Sequence, residues 1–262
     1  MNIYKKNYFT LKKNNNEKII YGFFSKNGGC SKKNYQSLNC NLSSDDNKDF
    51  VKKNIEIAKN NLNIKNHNLK FIKQVHSTKV VILEEKNYNL SIEADGIITK
   101  DKKISLAILT ADCAPIFIYD KKHSLICALH AGWKGCLDDI ITNAIKEINK
   151  INTYKSNLFA IVGPCLNRKN FEVDQEFKNN FIIKNQNYEY FFSKLISSEK
   201  YLFDMRGLIN FQLKENLVHD ISNINIDTYT NKNQFFSHRR SFQEKKLPTG
   251  RMINIIAFRE SS

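Results

Sequence analysis

Three apolar runs in this 262-residue chain each lead to a side chain able to bind a metal. KFIKQVHS carries His76, ISLAILTADC ends on Cys113, and SLICALHAGW reaches His130 just before Ala131 and Gly132. Ligands in open α/β sheets gather where strands end, so three such ends on neighbouring strands would converge. Two imidazoles and a thiolate suit zinc with an open fourth position, where the pKa of a water falls to about 7. Gly132 and Gly135 would let backbone pass close to the metal or to a ligand. The same residues also fit a nucleophilic dyad, with Cys113 attacking and His130 as its base, and spacing does not separate the two. Taken singly, each has a plainer use: a His at a strand end usually carries a hydrogen bond, and a Cys beside Ala is usually a small buried hydrophobe.

The elements that must position these residues read as α/β. Residues 18–24, and the segments KVVILEE, ADGIITK, PIFIYD, NLFAIVGPC and MINIIAF, read as further strands. Several are apolar along most of their length, as strands buried on both faces are. Residues 47–62 have helical spacing, with Asp45 or Asp46 as cap. LDDIITNAIKEINK places Ile140, Ile141, Ala144, Ile145 and Ile148 on one helical face, and residues 205–218 form another helix. Some strands follow one another too closely for helical crossovers. The expected fold is therefore an α/β (α+β) layered sandwich, a mixed sheet flanked by helices, in one domain over residues 1–262.

The formal net charge is +15, but the lysines are spread along the whole chain and no nucleic-acid motif accompanies them. Specific nucleic-acid binding is not expected, whereas a mild attraction for small anions is. No run approaches transmembrane length, and the start has no apolar leader core. The six cysteines, at 30, 40, 113, 127, 136 and 165, are accordingly expected as thiols in the cytoplasm.

GFFSKNGGCS, SLN at 37–39, QVHS, ADGIIT, LTADCAPI, HAGWKG, GPC, and FFSHRRS followed by TGR stand in order from Gly22 to Phe258. In this the chain resembles the bacterial laccase-domain family, also called multicopper polyphenol oxidase, purine nucleoside phosphorylase or peptidoglycan editing factor. The resemblance implies metal ligands at His76, Cys113 and His130, the trio reached above. It implies phosphorolysis of adenosine, inosine and methylthioadenosine, and deamination of adenosine, with nucleoside and phosphate as partners. Lys134, Arg239 and Arg240 are then the candidate phosphate donors. Asn39 is a candidate for ribose or base, and Asp112 for acid/base work or support of the metal shell. Cys165 of GPC reads as a buried thiol. The chain departs from the family pattern in Asp227–Thr228 before the FFSHRRS element, in His238 and Lys134, and in the inserted QEKKLP.

There is no H-x-E with P-C-x-x-C, so the nucleobase-deaminase zinc signature is absent. H-E-x-x-H, a Walker A loop and any H-x-H pair are absent too. Six histidines are too few for a multicopper cluster, although a Cys/His₂ site accepts copper as well as zinc. The rival activity is hydrolysis of an amide in an aberrant peptidoglycan precursor. A non-enzymatic binding module is disfavoured by the intact trio.

Overall fold

The computed structural model describes residues 2–5, 7–11, 18–88, 91–120, 125–151, 157–196, 198–246 and 248–259. One six-stranded sheet runs in the order β1 (Asn2–Lys5), β2 (Tyr8–Leu11), β3 (Ile19–Phe24), β15 (Met252–Phe258), β7 (Ile104–Thr110), β4 (Asn68–Lys70). A second runs β14 (Asp220–Asn223), β10 (Leu158–Val162), β8 (Ala114–Asp120), β9 (Leu125–Ala131), β6 (Gly96–Thr99), β5 (Val80–Ile82). A small third sheet joins β11 (Glu172–Val173), β13 (Tyr201–Phe203) and β12 (Phe192–Lys194). Both large sheets are mixed: β4 lies parallel to β7, β5 to β6 and β10 to β14, and the remaining pairs are antiparallel.

The alternation of side chains along a strand builds the layers. In β8, Phe117 and Tyr119 join a core with Phe23, Leu106, Ile108 and Ile256 of the first sheet, so the two large sheets pack face to face. Ile116 and Ile118 point the other way, into a core with Ile141, Ala144 and Ile148 of α3 (Ile140–Ile151) and Leu208 and Ile209 of α5 (Met205–Glu215). On the outer face of the first sheet, Ile253, Ile255 and Ala257 pack against Val51, Ile55 and Ala58 of α1 (Lys48–Asn61). The result is a helix–sheet–sheet–helix sandwich. Where one mixed sheet was expected there are two, because strands buried on both faces read the same whether their second face meets a helix or another sheet.

Local details depart from the expectation in ways that matter for the site. Asn47, not Asp45 or Asp46, caps α1, its side chain accepting from the Asp49 and Phe50 amides. The helix expected from residue 137 starts at Ile140 as α3, after a separate short α2 (Trp133–Leu137), with Asp139 between them at φ +59°. The run toward His76 stops being strand at Lys70. Residues 171–203, which carry no clear periodicity, supply the third sheet and α4 (Gln175–Lys184).

Candidate metal centre and its cavity

His76 and Cys113 both lie where the chain crosses from one large sheet to the other. Cys113 closes the three-residue link from β7 to β8, and His76 lies between β4 and β5. Because β4 and β7 are parallel, the two crossings leave the first sheet at the same end. His130 is on β9, paired with Pro115 of β8, one strand away from the point where Cys113 enters that sheet. Convergence therefore arises from two crossings between sheets, not from three adjacent strands of one sheet.

The three potential ligand atoms lie within 4.8 Å of one another. Cys113 Sγ is 3.8 Å from His76 Nε2, and the two imidazoles meet edge to face at 4.8 Å between centroids. Among the described residues this is the one cluster of three or more His, Cys, Asp or Glu side chains placed to share an ion. His130 is buried, Cys113 half-buried and His76 exposed, so the cluster opens to solvent on one side.

Asp95, fully buried, organises both histidines. One carboxylate oxygen accepts from His130 Nδ1 at 2.8 Å and from the His76 amide at 3.1 Å. The other accepts from the Val75 and Ser77 amides and from the Ser77 hydroxyl. A carboxylate only accepts, so His130 carries its proton on Nδ1 and turns Nε2 toward the trio. The loop bonds also hold His76 at φ +58°, a conformation non-glycine residues adopt sparingly. Gln74 anchors the same loop by exchanging two hydrogen bonds with the backbone of Leu109 on β7.

The electrostatics are those of a coupled pair. Burial works against the charge on each, but the His130 and His76 imidazoles outweigh it for Cys113 and bring the thiol down to about 6. The Cys113 thiolate and the Asp95 carboxylate hold His130 up, to about 9. The other buried thiols go the opposite way: burial raises Cys40, Cys127, Cys136 and Cys165. All six cysteines are free.

The donor set fits a metal that prefers sulfur and nitrogen. The backbone fits too: a Cβ built on Gly132 would stand 3.0 Å from both Cys113 Sγ and His76 Cδ2. Glycine at this position leaves the room the three side chains need.

His76 and Cys113 face a cavity of about 770 Å³. Trp133, Phe171, Phe177 and Phe242 form much of its wall, and His238, Arg239 and Lys200 bring basic groups to it. Phe171 and Phe177 belong to an aromatic cluster with Phe181 and Phe203. Phe171 and Phe177 thus come from the segment the sequence left unread, Trp133 from the HAGW stretch, and Phe242 from the position just after FFSHRRS.

The remaining expected site residues divide. Asp112 lines the cavity, but its carboxylate is engaged: one oxygen accepts from Thr228 Oγ1, the other from Ser237 Oγ and the Arg239 amide. It fixes the start of α6 (His238–Gln243) while itself held at φ +88°. Arg239 lines the cavity, with its guanidinium over the Phe171 ring and one donor on the Glu172 carbonyl. Arg240 is not among the cavity's lining residues, and its guanidinium donates to the carbonyls of Thr228, Tyr229 and Phe235. Lys134 is exposed, its ammonium over the Trp133 ring, and does not line the cavity. Asn39 is not among the lining residues either. It is fully buried away from the cavity, donating to Ser44 and Asp46 and accepting from the Asn41 and Arg251 amides. Sequence reasoning missed Asp95 and Gln74. The signal for Asp95 was an acid at the head of an apolar strand in ADGIIT, since a buried carboxylate demands donors.

This chain belongs to the multi-copper polyphenol oxidoreductase laccase family, whose pattern matches residues 20–259. It is similar to proteins named purine nucleoside phosphorylase. One from Rickettsia conorii is 36% identical over 202 residues, covering 74% of this chain and 83% of its own length. Another, YlmD of Bacillus subtilis, is 30% identical over 258 residues, covering 94% and 91%. A Neisseria meningitidis protein of known structure superposes with a TM-score of 0.84 at 27% identity, over 97% of this chain and all of that one. Among the described residues, no helix is long and apolar enough to cross a membrane.

Proposed function

We propose that the chain is a zinc-dependent purine nucleoside phosphorylase acting on adenosine, inosine and methylthioadenosine, and that the same centre deaminates adenosine. The observation that carries this reading is that His76 and Cys113 line a cavity also lined by Trp133, Phe171, Phe177 and Phe242. A purine stacks on Trp133, Phe171 or Phe177, an interaction that every base offers through its π-face. The ribose then lies toward His76 and Cys113. An oxygen of dihydrogen phosphate attacks C1′, the C1′–N9 bond breaks, and its electron pair goes to the base. The proton that phosphate gives up balances the one the departing base takes. His76, Cys113 and His130 would hold zinc, which when bound supplies Lewis acidity to an oxygen beside it. Asp95 holds the His130 imidazole and the His76 backbone in place throughout, so little reorganisation is needed when substrate arrives.

Chromatography of adenosine and inosine incubated with zinc-loaded protein, with and without phosphate, tests the reading. Free base is expected only when phosphate is present, and ammonia from adenosine measures deamination. No base above a metal-free control, together with cleavage of a muramyl-amino-acid substrate, would replace this reading by cell-wall editing.

A further inference from the structure

Phosphorolysis needs a cation for the phosphate near the metal centre, and the candidates differ in what they have left to give. Arg240 is consumed by three carbonyls, Lys200 is paired with Glu172, and Lys134 sits over Trp133 in solvent. Arg239 is laid over Phe171 and donates to the Glu172 carbonyl. Arg251, like Arg239, keeps two of its three guanidinium nitrogens, but it is not the one laid over Phe171. Only its Nη1 is engaged, on the Thr249 and Gly250 carbonyls of its own segment. Its Nε and Nη2 have no protein partner, and the residue is half-buried, so these donors are not sealed in the interior.

The sheet register places it. Met252, the first residue of β15, pairs with Thr110, the last of β7. One residue further out on each antiparallel strand, Arg251 leaves the sheet across from Ala111, beside Asp112 and Cys113. The backbone there is pinned: the Arg251 amide donates to Asn39, and its carbonyl accepts from the Cys40 amide. Cys113 and Asp112 are among the charges Arg251 feels, and His238 feels Arg251, Asp112 and His76 together. Asp112 has both carboxylate oxygens occupied by Thr228, Ser237 and the Arg239 amide. It therefore does not close a salt bridge on the guanidinium, whose fork stays available for two oxygens of one oxyanion.

We propose that Arg251, with His238 beside it, forms the subsite for the tetrahedral oxyanion and that its ligand is free inorganic phosphate. This rests on the phosphorylase reading for its biological use, but binding can be measured without turnover. His238 lines the cavity together with His76 and Cys113; Arg251 is not itself among the lining residues and is placed by the sheet register at the strand end beside Asp112 and Cys113.

The test is calorimetric titration of zinc-loaded protein with inorganic phosphate, for wild type, Arg251→Met, Arg251→Lys and Lys134→Met. Losing a charge-assisted fork should weaken phosphate about 10- to 100-fold in Arg251→Met. Arg251→Lys should recover part of the loss, and Lys134→Met should bind as wild type. Inosine binding without phosphate, measured in parallel, should be unchanged in Arg251→Met and serves as the check that the site is still formed. Phosphate binding by Arg251→Met equal to wild type would overturn the proposal. So would an Arg251-dependent affinity for adenosine 5′-monophosphate with none for inorganic phosphate, because the oxyanion would then belong to a nucleotide. Arg251-dependent phosphate binding in a protein that releases no base would retain the subsite and reject the phosphorylase reading.

Discussion

Asp95 and His130 are joined twice: the carboxylate accepts from the ring Nδ1 at 2.8 Å, and the Asp95 carbonyl accepts from the His130 amide at 2.7 Å. Ring and backbone of this histidine are therefore set by one residue on the neighbouring strand β6 side of the sheet, and the same carboxylate gathers the His76 loop.

Replacing Asp95 by Asn should consequently harm the metal centre more than any single ligand-neighbouring change. An amide cannot accept at both ends, so one end would face N–H donors. Zinc affinity should fall about 10- to 100-fold, the usual cost of losing such an orienting partner. Chelator competition measures the affinity, and circular dichroism checks that the chain is folded. Affinity equal to wild type would mean that the two histidines hold their positions unaided.

The same carboxylate predicts an acid limit. Burial would raise its pKa, but the hydrogen bonds from His130 and Ser77 win and lower it from 3.8 to about 2. A carboxyl lowered in the folded state contributes stability that is present above its unfolded pKa and lost as pH falls through the folded one. In metal-free protein the Asp95 contribution should therefore disappear between about pH 4 and pH 2. Urea midpoints across this window should fall more steeply for wild type than for Asp95→Asn; parallel slopes would contradict the assignment.

Cys113 should report whether metal is bound. In metal-free protein its thiol is lowered to about 6, so the thiolate dominates above that pH and alkylation should be fast at neutrality. With zinc bound the sulfur is tied up, and labelling should slow and recover after chelation. Mass spectrometry of the peptide carrying Cys113 distinguishes this from a free nucleophile, which would label quickly whether or not a chelator was added.

Gly132→Ala and Gly135→Ala make a matched pair. At Gly132 the new methyl meets Sγ and the His76 ring at 3.0 Å, whereas at Gly135 the nearest atom is 3.6 Å away, an ordinary contact. The first should lower zinc content measured by elemental analysis, and the second should leave it unchanged. Equal zinc in both variants would show that the trio has slack the packing does not display.

Arg240→Ala should act on stability, not on substrate. Three carbonyls would lose a charged donor, a cost of about 2 kcal/mol or more and a fall in Tm of several degrees. Thermal melts together with the phosphate KM check this; a raised KM at unchanged Tm would return Arg240 to the site.

How much was legible follows from how each feature is encoded. The trio could be read because its residue types are chemically rare and each follows a strong apolar run. The strands β7, β8, β9 and β15 were legible for the same reason, being buried along nearly their whole length. Sheet membership was not legible, since Phe117 and Ile116 are equally apolar although they serve different cores. Nor were the partners of polar groups: nothing local in Asn39 or Arg240 says that its hydrogen bonds are spent on loops, and Arg251 gains its place only through pairing of β15 with β7. Phe177, one part of the aromatic wall, escaped because α4 is short and only Phe181 of its residues is fully enclosed, leaving little period to detect.

The link from β7 to β8 is only Ala111, Asp112 and Cys113 long, and it must carry the chain from one sheet to the next, about 10 Å away. The link is bent along its whole length, with Asp112 at φ +88°, so its conformation as well as its length sets where the thiol points. A single inserted residue would let the thiol swing out of reach of both imidazoles while every strand kept its register. The chain length of this one connection is thus itself a gauge of activity, and indels there should be far more damaging than substitutions of the neighbouring Ala111.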